Sequence, residues 1–582
     1  MRRITCLLVL LCATIARGQV YEERTPTRDG IGRIYMGREI AHYMSHMAAD
    51  WLDRPEREAE EAPTRLMKAL DLKPTDVVAD IGAGTGYFSF KIAPLVPQGK
   101  VLAEDIQPEM LDRVRKIAAE RGVKNVEAVL GDEMDPKLPA RGVDMVLLVD
   151  SYHEFDHPRE MMLAIRRALK PGGRVVQVEY RGEDPAVPIK PLHKMTQKQA
   201  IMEMAAVGLR HVKTDESLPR QHVMIFEKTK KLIEFGWDEP STDFMRTHIA
   251  EMEKTPFDGC VFDLYYTKAG GAKDRFISEC WGKKKFSEAE LRQSADDLRN
   301  TKFARFTENF LRFDVTPGDV DWFDDFSAVI SNANLAAKIA KAGKARGILF
   351  DVEPYANQLW DYRKQRDVKT KAYSDYAQQA HRRGREMMIA MQAAYPDITI
   401  FTTFGYSAPY LQSNGKREKL AEAEYGLLAP FLDGMIEAAK GESRIVDGFE
   451  FSYPYKMAKQ FGDGYELMKT KVPGIVLDPA GYARVSSFGF GLWMDYDWRK
   501  HGWDVTDVSK NFFTPQQFEE SVREALRASD DYVWIYTEDP KWWSEKGAVK
   551  VPAEYDAALR NAKQINHEGT KETKSTKKDT KE

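Results

Sequence analysis

Three glycines in five residues, Gly82, Gly84 and Gly86, follow the run Val77-Val78-Ala79-Asp80 and precede an amphipathic segment from Tyr87 to Leu95. A strand that feeds a helix through so short a turn brings its backbone round with no Cβ in the way, as α/β folds do where main chain approaches a ligand. The same rhythm continues downstream. Val101-Leu102-Ala103 reads as a strand before a helix from Pro108 to Arg121, and Val126 to Val129 as a third strand. Val143 to Val149 is a fourth, followed by a helix from Pro158 to Leu169, a strand from Arg174 to Val178, and a closing strand from Gln221 to Glu227. This alternation predicts a doubly wound, Rossmann-like α/β domain with a mostly parallel sheet over residues 62–228.

Asp80, just ahead of the glycines, would repel a pyrophosphate and would welcome a cationic amino-acid group. Asp80 to Gly86, Glu104-Asp105-Ile106, Gly131-Asp132-Glu133, Leu148-Val149-Asp150-Ser151-Tyr152-His153-Glu154 and Leu169-Lys170-Pro171-Gly172-Gly173 occur in that order at strand ends and turns. Together they resemble the class I S-adenosylmethionine-dependent methyltransferases over residues 67–227. The resemblance implies S-adenosyl-L-methionine as cofactor. Asp80, Gly82, Gly84 and Gly86 would wrap its methionine part. Asp105, beside Ile106, would take the ribose hydroxyls, since one carboxylate offers two acceptors to a diol. Asp132, followed by Glu133, would receive the adenine amino group, and the segment holding Asp150 would face the sulfonium and the acceptor. A sulfonium methyl is already activated, so the protein mainly aligns the acceptor. A hydroxyl or protonated amine acceptor also needs a base. His153 is the candidate, with Glu154 and His157 in the same segment. The stretch 180–195, with Pro185, Pro188, Pro191 and His193, reads as a lid over the substrate.

After Lys228-Thr229-Lys230-Lys231 the chain again alternates strand and helix. Eight candidate strands, Leu232–Trp237, Gly259–Leu264, Thr307–Phe313, Gly347–Glu353, Thr399–Phe404, Gly448–Tyr453, Gly489–Asp495 and Tyr532–Thr537, predict a (β/α)8 TIM-type barrel over residues 229–565. Barrel chemistry sits at C-terminal strand ends. Asp351 and Glu353 share a face there because strand side chains alternate, Glu450 falls on the sixth strand, and Glu538 follows the eighth. Trp237, Tyr355, Tyr453 and Trp493 are among the accompanying aromatics, a pairing suited to sugar rings and glycosidic cleavage. Gly347 to Glu353 resembles half of the fourth-strand signature of chitinase-like glycoside hydrolases, with Glu353 where the general acid would stand. Leu349 occupies the position of a further Asp in that family. Catalysis by Asp351, Glu353 and Glu450, and carbohydrate binding without hydrolysis, both remain open. The methyl acceptor is accordingly expected to be a small molecule or a carbohydrate.

The remaining segments set the context. Arg2 and Arg3, the apolar run Ile4 to Ala16 and the small residues before Gln19 read as a secretory signal peptide over 1–18. That implies a secreted, periplasmic or envelope protein; if the segment is not a signal, the location is cytoplasmic. Export conflicts with a cofactor made in the cytoplasm. Either the signal reading fails, the cofactor reaches the exported enzyme, or the pocket no longer works. Residues 20–61 read as an N-terminal helical cap, from the spacing of Ala41, Met44, Met47, Ala48 and Trp51. Residues 566–582 form a Lys-rich tail with no apolar residue to bury, expected to be disordered. The formal net charge of -4, with both signs interspersed, argues against a nucleic-acid partner. No other apolar run approaches the ~20 residues of a membrane span. Cys260 and Cys280 form one bridge or remain two buried thiols; neither stands in a metal-ligand spacing, and no metal site is expected.

Overall fold

The computed structural model describes residues 20–543 and 549–565. The signal segment over 1–18 and the Lys-rich tail over 566–582 lie outside the described residues. The chain divides between Lys228 and Thr229 into two units.

In the first unit seven strands form one sheet, in the spatial order Val126–Leu130, Lys100–Asp105, Val77–Ile81, Val143–Val149, Leu169–Tyr180, Gln221–Lys228, Leu209–Asp215. The first five run parallel, and Gln221–Lys228 pairs antiparallel with Leu169–Tyr180 on one side and Leu209–Asp215 on the other. Alternation along the strands divides the core between the two faces. Ala79, Val146 and Leu148 pack with Met161 and Ile165, while Val78, Met145 and Leu147 pack with Phe88 and Ile92. From Val77–Ile81 the chain first steps outward on one side, then returns to build the other. The reversal falls between Val77–Ile81 and Val143–Val149, where open α/β sheets leave a ligand crevice at the C-terminal strand ends. Ser151 Oγ donates to the Ile81 carbonyl across this point, at 3.0 Å.

The helical cap expected over 20–61 is corrected. Tyr21–Glu23, Gly30–Tyr35 and Arg38–Ala41 form an antiparallel three-stranded sheet. Met36 and Gly37, at φ 48° and 91°, make the two-residue turn, the positive-φ pair that suits the twist of a hairpin. Only beyond it does the chain coil, as a 3-10 helix over His46–Asp53 and an α-helix over Arg57–Glu61. The strand Leu209–Asp215 was also not anticipated.

In the second unit nine strands pair in parallel, in the order Ser486–Phe488, Arg444–Asp447, Thr399–Thr402, Gly347–Asp351, Phe310–Asp314, Gly259–Phe262, Lys231–Glu234, Tyr532–Tyr536, Phe490–Trp493. The two ends of this order are consecutive in sequence, separated by Gly489 alone, so the sheet is nearly closed. Ile233, Val261, Phe310, Leu349, Phe401, Val446, Tyr532 and Trp534 meet in one buried cluster. The alternate residues, such as Leu232, Leu311, Ile348 and Ile400, pack instead with Val329, Met387, Met391 and Phe431 of the intervening helices. Leu349, where the chitinase-like signature has an acid, is thus a core residue. The sixth strand is also corrected: it is Arg444–Asp447, and Glu450 lies beyond it in a 3-10 turn over Glu450–Ser452. Gly448 and Phe449, the latter at φ 44°, break the extended chain between them. Cys260 and Cys280 are separate buried thiols. Among the described residues no helix is long and apolar enough to cross a membrane.

Candidate functional site

The strand ends at the reversal point of the first unit open on a cavity of about 790 Å³, within the ~300–1,000 Å³ usual for small-molecule sites. Gly82 and Gly84 line it. Their φ values are +68° and +56°, and a Cβ would stand 2.9 Å from Ser151 Cβ at the first and 2.5 Å from Leu52 Cδ1 at the second. Gly86, at φ +80°, caps the helix Tyr87–Ile92 and turns the chain without lining the cavity.

Asp105 ends the second strand and binds the glycine turn directly. Its Oδ2 accepts from the Gly84 amide and its Oδ1 from the Gln107 amide, each at 2.9 Å. Ile106, Met44 and Trp51 add apolar surface to the same cavity. Glu104, which the sequence reading missed, lines it too. Its Oε2 accepts from the Gly82 amide at 3.4 Å, while its enclosed Oε1 has no hydrogen-bond partner among the described residues. Burial, then the neighbouring Asp105, pushes the Glu104 carboxyl well above the ordinary range. Asp150, at φ 50°, accepts from Gln221 Nε2 at 2.7 Å through Oδ2, and its Oδ1 has no hydrogen-bond partner among the described residues. Burial and the acids Glu61 and Glu179 raise it well above its ordinary value. Enclosed carboxylate oxygens without donors fit a ligand that brings hydrogen-bond donors and positive charge. The ammonium, ribose hydroxyls and sulfonium of S-adenosylmethionine supply both.

Like Gly86, the expected cofactor residues Asp80 and Asp132 sit outside the cavity lining. Asp80 is buried, accepts from Ser89 Oγ at 2.7 Å and so anchors the following helix, and burial pushes it up to about 6. Asp132 is exposed and occupied: the amides of Met134 and Asp135 donate to it, and Lys137 pairs with it at 2.7 Å, holding its carboxyl below the usual range. Glu133 does line the cavity.

His153 lies on the acceptor side. Its Nδ1 is 2.6 Å from Glu179 Oε2 and its Nε2 3.1 Å from His193 Nδ1. Burial opposes protonation, but the Glu179 carboxylate prevails and pushes the imidazole up to about 8. Glu154 and His193 line the cavity with it. His157 is turned to Arg33, at 3.0 Å. From the expected lid, Pro188, Ile189, Lys190 and His193 reach the cavity wall. Glu179, the penultimate residue of the strand Leu169–Tyr180, carried no sequence signal of its own.

In the second unit Asp351, Glu353 and Glu450 share one electrostatic neighbourhood. Arg312 Nη2 donates to Asp351 Oδ2 at 2.8 Å, and Tyr355 Oη lies 2.5 Å from Glu353 Oε2. Burial and Asp351 push Glu353 up to about 7, and burial with Glu353 raises Glu450 well above its ordinary range. Tyr453, Trp493 and Tyr536 form an aromatic cluster beside them. A cavity of about 500 Å³ in this unit, lined by Trp237, Glu239, Tyr265 and Trp543, does not include the three acids.

Fold and cavity together define an α/β unit with a small-molecule cavity at the reversal of its strand order. Residues 78–173 match the family model described as a methyltransferase domain. Over 111 residues the chain is 32% identical to the ubiquinone/menaquinone biosynthesis C-methyltransferase UbiE of Ectopseudomonas mendocina (strain ymp), covering 19% of this chain and 43% of the relative. It is 35% identical over 112 residues to the nocamycin O-methyltransferase of Saccharothrix syringae, covering 19% and 40%. The chain therefore spans less than half the length of these curated relatives. A solved S-adenosylmethionine-dependent methyltransferase from Aquifex aeolicus is 23% identical, covering 32% of this chain and 98% of its own, with a TM-score of 0.31. The first unit thus carries a methyltransferase domain.

Proposed function

We propose that the whole protein is an S-adenosylmethionine-dependent methyltransferase acting on a small-molecule or carbohydrate acceptor. The observation that carries this reading is the cavity at the strand-order reversal, where Gly82, Gly84 and Asp105 meet the unpartnered oxygens of Glu104 and Asp150. The bound cofactor supplies an activated methyl group. The chain's own residues position both reactants: the glycine turn and Asp105 hold the cofactor, the acids favour its positive charge, and His153, fixed by Glu179, orients the acceptor's polar group. Calorimetric titration with S-adenosylmethionine tests the reading, with Asp105→Ala as the control. Binding by the wild type that Asp105→Ala loses supports it; no binding by folded wild-type protein overturns it.

A second reading concerns the other unit, a (β/α)8 glycosidase-like barrel. It is supported by Asp351, Glu353 and Glu450 beside Tyr453, Trp493 and Tyr536. In that reading the exported protein binds or hydrolyses carbohydrate and the methyltransferase fold is vestigial. Cofactor binding by the wild type in the titration above would argue against it. The Arg-led apolar segment at the N-terminus supports export, which fractionation with N-terminal sequencing tests.

A further inference from the structure

We propose that His153, Glu154 and His193 form a binding site for a divalent transition-metal ion of the zinc type in the wall of the methyltransferase cavity. The role of the ion rests on the methyltransferase reading; the binding of the ion does not. Two short 3-10 turns, Tyr152–Glu154 and Pro191–His193, bring the three side chains together. His153 Nε2 lies 3.1 Å from His193 Nδ1 and 3.9 Å from Glu154 Oε1, and His193 Nδ1 lies 3.5 Å from Glu154 Oε1. A tetrahedral ion with bonds of ~2.0–2.1 Å holds its ligand atoms ~3.3–3.4 Å apart. The triangle brackets that spacing, so small side-chain shifts complete the site.

The surroundings are those a metal site needs. Glu179 Oε2, 2.6 Å from His153 Nδ1, accepts a hydrogen bond from the proton on that nitrogen, which leaves the Nε2 lone pair for the ion. Such a carboxylate behind a ligating histidine fixes its tautomer and ring orientation. The Met44 amide donates to Glu154 Oε2 at 3.3 Å, leaving Oε1 for the ion. Two imidazoles and one carboxylate favour zinc-like ions over calcium or magnesium, and three protein ligands leave one position open. All three residues line the cavity. The open position therefore takes an oxygen: water in the free protein, and a hydroxyl or carbonyl oxygen of the acceptor in the complex. The acceptor class implied is an oxygen-bearing small molecule.

The test uses the full chain without an affinity tag, stripped by a chelator and titrated with Co²⁺, then with Zn²⁺. Expected are one equivalent of Co²⁺ per chain, visible ligand-field absorption, and its loss on displacement by Zn²⁺. His193→Ala, in a part-exposed surface turn, abolishes the signal with the circular dichroism unchanged. Glu179→Gln weakens binding ~10–100-fold. Absence of Co²⁺ and Zn²⁺ binding, or equal binding by wild type and His193→Ala, overturns the proposal and leaves the two imidazoles as a hydrogen-bonded pair. S-adenosylmethionine titrated into the metal-free protein separates the two readings. Cofactor binding without Co²⁺ binding sinks only the metal site, and Co²⁺ binding without cofactor binding sinks only the methyltransferase reading.

Discussion

Asp105 Oδ2 accepts a hydrogen bond from the Gly84 amide at 2.9 Å, so the residue ending one strand holds the glycine turn that ends its neighbour. The other oxygen takes the Gln107 amide. An asparagine offers one acceptor oxygen, so Asp105→Asn strands one of these amides. A buried donor left unsatisfied costs ~1–3 kcal/mol. The expected result is a lower melting temperature with S-adenosylmethionine affinity reduced at least ~10-fold, read by calorimetry. A variant that binds the cofactor as the wild type does would remove Asp105 from the site.

Gly82→Ala should separate binding from folding. The position has φ +68°, and the added Cβ would stand 2.9 Å from Ser151 Cβ. The left-handed conformation costs a non-glycine residue ~1–2 kcal/mol, which a domain of this size tolerates. The same methyl enters the cavity wall, so cofactor affinity should fall at least ~10-fold while the protein remains folded by circular dichroism. Unchanged affinity would mean the backbone here does not approach the ligand.

Elements whose pattern is local were legible in sequence. The helix Pro108–Arg121 and the strand Val143–Val149 have the bounds that residue periodicity predicts, because each buries its stripe against the sheet beside it. Residues 20–61 misled because helical spacing at Ala41 to Trp51 was extended over the hairpin. Three members of that spacing, Met44, Ala48 and Trp51, line the cavity, and Met47 is 82% exposed, so their apolar character does not mark a core. Glu450 was misplaced because the short run Arg444–Asp447 lacks the length of a clear strand signal. Glu179 and His193 lie 26 and 40 residues from His153, and only the tertiary fold makes them its partners. Spacing along the chain cannot report such a cluster.

Cys260 and Cys280 are fully buried, and burial raises both thiols well above their ordinary range. A thiol reagent attacks the thiolate, so both should stay unlabelled in native protein and react only as the second unit unfolds. Mass spectrometry of alkylated peptides across a urea series checks this. Labelling at either residue without denaturant, or a disulfide between them, would contradict the structure.

Glu353→Gln should change how the stability of the second unit depends on pH. The Glu353 carboxyl, ordinarily at 4.5, titrates at about 7 in the folded protein because burial and Asp351 disfavour its charge. The folded state therefore holds this proton more tightly than the unfolded chain. Its stabilising contribution is complete below 4.5 and is lost as pH rises through about 7. Glutamine keeps the shape and never ionises, so it removes this contribution to the slope. All tryptophans except Trp51 lie in the second unit, and their fluorescence follows its unfolding. The urea midpoint of the wild type should fall between pH 5 and pH 8 by more than that of Glu353→Gln, the two proteins being closest at the acid end. Parallel pH profiles would show that Glu353 titrates at its ordinary value, and the acid cluster would then lose its claim to an unusual proton.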